Sequence, residues 1–229
     1  MQVLDILYLI ILAIVQGVTE FLPVSSSGHL VLVPLFVGVP DHTLMFDVAV
    51  HVGTLGAVVL YLWRDIFSMF VGLVRLIKGQ SDPGVQLLGL LIVGTLPVIV
   101  AGFILNHFYP EGLRGLKVIG WSTFIFGLLL MITDQLGMTL RRIEHLKIGD
   151  AFIIGIAQVL AFIPGTSRSG ICITAARMMG MERVDAARFA MLLGIPAILG
   201  AGTLKGYELW KIGDVQLTSE VILAAGLSL

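Results

Sequence analysis

Residues 44–63, 85–107, 118–134 and 186–205 form four apolar stretches, each close to the roughly 20 residues a helix needs to cross a bilayer. The chain is 57% hydrophobic and 13% charged, whereas a soluble domain carries about 25% charged residues, so it reads as an integral membrane protein. A chain that leaves water must satisfy its own backbone, and segments of this length do so as helices. The formal net charge of −1 and the lack of a long basic run exclude nucleic acid as a partner. The single Cys172 excludes an intramolecular disulfide and a cysteine-based metal site. Residues 3–15 lack a basic flank and run into Gln16 and Glu20, so they belong to the fold rather than to a cleaved leader. A further apolar segment begins near Ser219 and reaches Leu229 after about half a crossing, so at least one more span is expected to follow.

Two polar strings interrupt this apolar background: Gln16 through His29, which contains Glu20, Pro23, Ser25, Ser26, Ser27 and Gly28, and Pro164 through Gly170, which contains Arg168. A charge at a helix centre in the membrane costs roughly 2.5–3.5 kcal/mol on insertion scales, which makes function the default reason for it. Pro23 and Pro164 break segments 3–22 and 148–163 ahead of arms of only about ten residues, the pattern of a re-entrant helix-turn-helix. A shift of 142 residues places Gln16 on Gln158, Ser25 on Ser167, Ser27 on Ser169, Gly28 on Gly170 and Gly38 on Gly180.

The expected fold is therefore an all-α polytopic membrane protein, a single domain over 1–229 with pseudo-repeats 1–135 and 148–229. Each half is a re-entrant hairpin plus three transmembrane helices, with the last helix absent from this chain. Three spans per half invert the second repeat, as in many transporters. The connections are read as short and charge-bearing. Placing Arg64–Lys78, Arg141–Lys147 and Arg177–Arg188 inside collects nine basic residues, against Arg114, Lys117, Lys205 and Lys211 outside. Gly79 is then inside, Gly112 is outside, and the two tips meet near the midplane.

Gln16 and Glu20, spaced i, i+4, share a helix face and offer hard oxygens suited to Mg²⁺ or Ca²⁺, or else form a polar packing face. Ser25, Ser26 and Ser27 precede a helix start, where free N–H groups attract anions and where a serine can also simply cap. His29 is the nearest base in sequence to activate a hydroxyl. Arg168, flanked by Ser167 and Ser169, can grip phosphate through a fork of five donors or pair with Glu20. Asp47 and His51 are again i, i+4, either lining a mouth or forming an interfacial pair. The methionines fill apolar space, and Trp63, Trp121 and Trp210 suit interfacial anchoring.

These residues resemble the undecaprenyl-diphosphatase family of bacteria, also called bacitracin-resistance proteins. The likeness rests on Gln16 and Glu20, on Pro23 through His29 and on Pro164 through Ser169, and it covers the whole chain. It implies hydrolysis of undecaprenyl diphosphate to undecaprenyl phosphate at the cytoplasmic membrane, with a site opening to the outer side. It further implies a polyprenyl diphosphate lipid as substrate and Glu20 with Gln16 as holders of a divalent cation. Ser26 would be the nucleophile, His29 the acid/base, and Arg168 the phosphate ligand, supported by Ser167, Ser169, Ser25, Ser27 and Gly28. Many members carry a carboxylate at the position of Gln16 and a threonine at that of Cys172. Self-association into a homo-oligomer is compatible with such a chain. An inverted-repeat transporter or flippase for a lipid phosphate or small anion is the alternative that the architecture alone admits.

Overall fold

The computed structural model describes residues 3–38, 44–108 and 115–229 and is all-helical. The order is α1 (Val3–Thr19), α2 (Ser26–Val37), α3 (Leu44–Tyr61), α4 (Trp63–Ile77), α5 (Pro83–Phe108), α6 (Leu116–Leu136), α7 (Ile148–Val159), α8 (Arg168–Met178), α9 (Arg183–Ile212) and α10 (Val215–Leu227). Gly112 and Arg114, both assigned to the outer side from sequence, lie outside the described residues.

Three segments, Pro83–Leu105, Leu116–Leu136 and Arg183–Ile212, are long and apolar enough to cross a membrane. A fourth crossing is available if Met45–Tyr61 and Trp63–Ile77, bent by 76° at Leu62, act as one span. That bend corrects the reading of residues 64–78 as a loop. The segment is a helix, α4, because apolar residues recur every three or four positions. Trp63, Phe67, Phe70, Val74 and Ile77 form an outward face, while Asp65, Met69 and Gly72 turn inward. Charges interspersed in the segment masked that periodicity.

The apolar interior divides by hairpin. Tyr8, Leu12, Leu30 and Val50 gather α1, α2 and α3, with Ala224 of α10. Ile154, Phe189, Leu192 and Leu193 gather α7 and α9, with Ala176 of α8. Helices α5 and α7 meet backbone to backbone, since a Cβ on Gly155 would lie 2.3 Å from the Gly94 carbonyl oxygen. Small residues allow such approach where lipid supplies no hydrophobic drive between helices. The segment read as starting near Ser219 begins earlier. Asp214 caps α10 by accepting from the Gln216 and Leu217 N–H groups, and Ser228 donates to the Val50 carbonyl at 2.9 Å.

Ion pairs draw the three basic connections to one end of the bundle. Arg188 of α9 grips Asp65 of α4 with both a terminal nitrogen and Nε, the latter at 3.0 Å. Arg141 pairs with Asp150 at the start of α7, and Arg183 with Asp134 at the end of α6. Arg177 is fully buried and donates to the Asp134, Gly137, Met138 and Met181 carbonyls. It thereby satisfies acceptors that the end of α6 leaves without helical partners.

Candidate active site

The two hairpins are built to one local plan. Ser25 caps α2 by accepting from the Gly28 N–H at 3.2 Å, and Ser167 caps α8 by accepting from the Gly170 N–H at 3.1 Å. The hydroxyls of Ser25 and Ser27 lie 3.2 Å apart, as do those of Ser167 and Ser169. Each second arm is followed by a glycine at positive φ, Gly38 at 74° and Gly180 at 81°. The shared frame carries different chemistry at the two tips. The first position of the second arm is Ser26 in one hairpin and Arg168 in the other.

This frame gives part of the expected phosphate shell a second duty, since a serine oxygen that accepts as a cap keeps its hydroxyl hydrogen to donate. The Ser25 and Ser167 oxygens are engaged as caps, and the Gly28 N–H is the donor that one of them takes up. Glycine leaves room where the tips close on their neighbours, tightly at Gly170 and without alternative at Gly165. A Cβ on Gly170 would lie 3.3 Å from the Pro23 carbonyl oxygen, and one on Gly165, at φ +92°, would lie 2.5 Å from that of Ile119. Helix α6 fastens the second tip, with Ser122 donating to the Pro164 carbonyl and Thr123 to that of Gly165 at 3.1 Å.

Glu20 is the centre on which both tips converge. Its Oε1 accepts from Arg168 Nη2 at 2.9 Å, and its Oε2 accepts from Ser26 Oγ at 2.7 Å and from Gln16 Nε2 at 3.1 Å. The side chains of Glu20 and Arg168 are only 8% and 20% exposed, although 148 residues separate them. Both readings left open for Arg168 are compatible here. It pairs with Glu20, and a guanidinium with five donors that spends one on Glu20 and a long 3.4 Å contact on the Ala190 carbonyl keeps others for an incoming anion. Gly194 of α9 makes the room, since a Cβ there would lie 2.1 Å from Arg168 Nη1.

The histidine beside Ser26 in space is not the one beside it in sequence. His29 spends Nδ1 on the Ser25 carbonyl at 2.7 Å, one turn back on its own helix. The ring within reach of Ser26 Oγ, with Nε2 at 3.4 Å, belongs to His51 of α3. His51 Nε2 is also 3.4 Å from Glu20 Oε2, and its Nδ1 bonds the Asp47 carbonyl at 2.6 Å. The i, i+4 pairing of Asp47 and His51 was visible in the sequence, but the bond runs to the Asp47 backbone and frees the ring to face the site.

Gln16 bridges Glu20 and Thr54 through its amide nitrogen. Thr54 gives its hydroxyl hydrogen to helical carbonyls, 3.0 Å from His51 O and 3.2 Å from Val50 O, and therefore accepts from Gln16 Nε2 at 3.2 Å. The amide is thus oriented with nitrogen toward Glu20 and Thr54, rather than with two oxygens aimed at one cation. Its Oε1 is left buried without a hydrogen-bond partner among the described residues. That orphaned oxygen, on the amide that donates to Glu20, suits a hard divalent cation whose remaining ligands come from phosphate or water. Among the described residues, no three His, Cys, Asp or Glu side chains gather into a ligand set.

A family model described as bacitracin resistance protein BacA matches residues 9–229. The chain belongs to that family. Among curated relatives, undecaprenyl-diphosphatase 1 of Rhodospirillum rubrum is 49% identical, over 96% of this chain and 80% of the relative. Undecaprenyl-diphosphatase of Jannaschia is 49% identical over 96% of this chain and 83% of its own length. That of Ruegeria pomeroyi is 48% identical, over 97% and 84% respectively.

Proposed function

We propose that this protein hydrolyses undecaprenyl diphosphate to undecaprenyl phosphate and inorganic phosphate, renewing the lipid carrier for cell-wall synthesis. The observation that carries the reading is the meeting of Ser26, Glu20 and Arg168 from two hairpins at one buried point. A channel or transporter needs the broken hairpins, yet it has no need of a hydroxyl hydrogen-bonded to a carboxylate that is itself held by a guanidinium.

The membrane-embedded architecture suits a substrate whose isoprenoid tail stays in lipid while the diphosphate enters between the tips. Phosphoryl transfer is accelerated chiefly by positioning and by stabilising charge on the equatorial oxygens. Arg168 supplies fixed donors for those oxygens, joined by the first N–H groups of α2 and α8, which point out of the helix starts. Ser26 attacks the terminal phosphorus as its proton leaves for a neighbouring acceptor. The bond to the bridging oxygen breaks, and undecaprenyl phosphate departs with that electron pair. Water then hydrolyses the phosphoserine, with His29 as its acid/base in this reading. Glu20 and Gln16 Oε1 would hold Mg²⁺ or Ca²⁺, which when bound neutralises phosphate charge. The basic end tied together by Arg188, Arg141 and Arg183 faces the cytoplasm in this reading, and the site opens to the outer side of the cytoplasmic membrane.

The test is mass analysis of the lipid after incubation with purified protein. Conversion to undecaprenyl phosphate by wild type, lost in Ser26→Ala with substrate binding retained, is the expected result. Unchanged diphosphate moved across a proteoliposome would support transport instead.

A further inference from the structure

His51 sits on α3, outside both polar strings, yet it reaches the atom that the proposed reaction uses. Nδ1 lies 2.6 Å from the Asp47 carbonyl and donates there, so in the neutral ring Nε2 is a lone-pair acceptor at the tip of the first hairpin, 3.4 Å from both Ser26 Oγ and Glu20 Oε2, whereas a ring protonated at Nε2 would donate to Glu20. Ser26 Oγ, at 3.4 Å from Nε2, is the donor that can meet that lone pair. One turn further along α3, Thr54 holds Gln16. A single helix therefore touches both the arm that carries Glu20 and the turn that carries Ser26.

The Ser26 hydroxyl owns one hydrogen and faces two acceptors, Glu20 Oε2 at 2.7 Å and His51 Nε2 at 3.4 Å. Glu20 already accepts from Arg168 and Gln16, and these donors compete with Ser26 for the same carboxylate. The imidazole offers Ser26 its own, uncontested acceptor. A serine hydrogen turned toward Nε2 leaves an oxygen lone pair free to face phosphorus.

Resting on the hydrolytic reading above, we propose that His51 is a positioning residue that sets the rotor of the Ser26 hydroxyl. The role needs a hydrogen-bond acceptor at this point on α3, and an amide oxygen can provide one where an alkyl group cannot. His51→Leu and His51→Gln separate these cases, because both are uncharged and compatible with a helix in an apolar surround.

The variants are purified in detergent and assayed for phosphate release from undecaprenyl diphosphate. In parallel, the rate of phosphonylation of Ser26 by a fluorophosphonate is followed by intact mass, which reports the hydroxyl without needing the lipid substrate. His51→Leu is expected to lose about a hundredfold in kcat, the order expected for a reacting group misplaced by about 1 Å, with KM held. Labelling of Ser26 slows in step, and His51→Gln restores both. Turnover and labelling at wild-type rates in His51→Leu overturn the proposal, and so does failure of His51→Gln to restore them, which would assign the proton itself to the imidazole. No phosphate release from wild type, with labelling still governed by residue 51, would sink the functional reading and leave the positioning role standing.

Discussion

A single methyl group on Gly194 tests whether the placement of Arg168 matters more than its presence. A Cβ added there would lie 2.1 Å from Nη1 and 2.6 Å from both Cζ and Nη2 of Arg168. The obstruction is the far end of a flexible side chain, so the guanidinium yields and the backbone does not. To reach ordinary van der Waals separation it retreats by about 1.3 Å, which breaks the 2.9 Å bond to Glu20 and moves the donors off the phosphate position. A displacement of that size costs about a hundredfold in rate, or roughly 2.7 kcal/mol of transition-state stabilisation. Stability has two opposing terms, since Ala inside a helix gains up to about 1 kcal/mol over Gly, whereas loosening the buried Arg168–Glu20 pair costs up to about 3–5 kcal/mol. Gly200 on the same helix has open space around its Cβ position and serves as the control. Phosphate release and thermal unfolding are measured on Gly194→Ala and Gly200→Ala. The expected result is two folded proteins, of which only Gly194→Ala has lost turnover. A Gly194→Ala enzyme within twofold of wild type would refute the reasoning.

Gly165→Ala combines a left-handed φ of 92° with a Cβ 2.5 Å from a backbone oxygen, so it should lower stability by at least about 1–3 kcal/mol, seen as a lower midpoint on thermal or denaturant unfolding. Gln16→Glu places a second carboxylate where an amide now donates to Glu20, so divalent metal should raise its melting temperature more, and at lower concentration, than in wild type. Identical metal titrations would remove Gln16 from the cation site. At the basic end, the Gly84 N–H and then the Arg75 guanidinium hold the Asp82 carboxyl below its ordinary value of 3.8. A carboxyl depressed in the folded state stabilises above its unfolded value and loses that contribution as pH falls through the folded one. Asp82→Asn should therefore flatten the decline in melting temperature below about pH 4, and an unchanged acid limb would show that the pair contributes nothing.

The sequence displayed the hairpins because breaking a helix in lipid requires conspicuous residues, and Pro23, Pro164, Gly28 and Gly170 are such residues. It displayed Glu20, Ser26 and Arg168 for a related reason, since charge and hydroxyl at membrane depth stand out against apolar neighbours. Helix α4 was hidden because Arg64, Asp65 and Arg75 signal a connection more loudly than the spacing of Phe67, Phe70 and Val74 signals a helix face. The place of His51 was hidden because proximity in sequence favoured His29, while the choice between the two rings is made by backbone carbonyls one turn back in each helix. The capping duty of Ser25 and Ser167 was an open alternative, and only the oxygen-to-N–H distances decide it. Gly194 carried no sequence signal, since the need for an absent Cβ comes from an arginine 26 residues away in the chain.

Two hairpin tips, one bringing Ser26 and Glu20 and the other Arg168, form one hydrolytic site in this mechanism. Steady-state phosphate release from undecaprenyl diphosphate by wild type, Arg168→Ala and Arg168→Lys tests it most directly. The account predicts release by wild type, near-complete loss in Arg168→Ala, and little recovery in Arg168→Lys, because an ammonium cannot reproduce the planar fork that holds Glu20 and phosphate together. Wild-type rates in Arg168→Ala would contradict a composite site, and an inactive wild type would contradict hydrolysis itself.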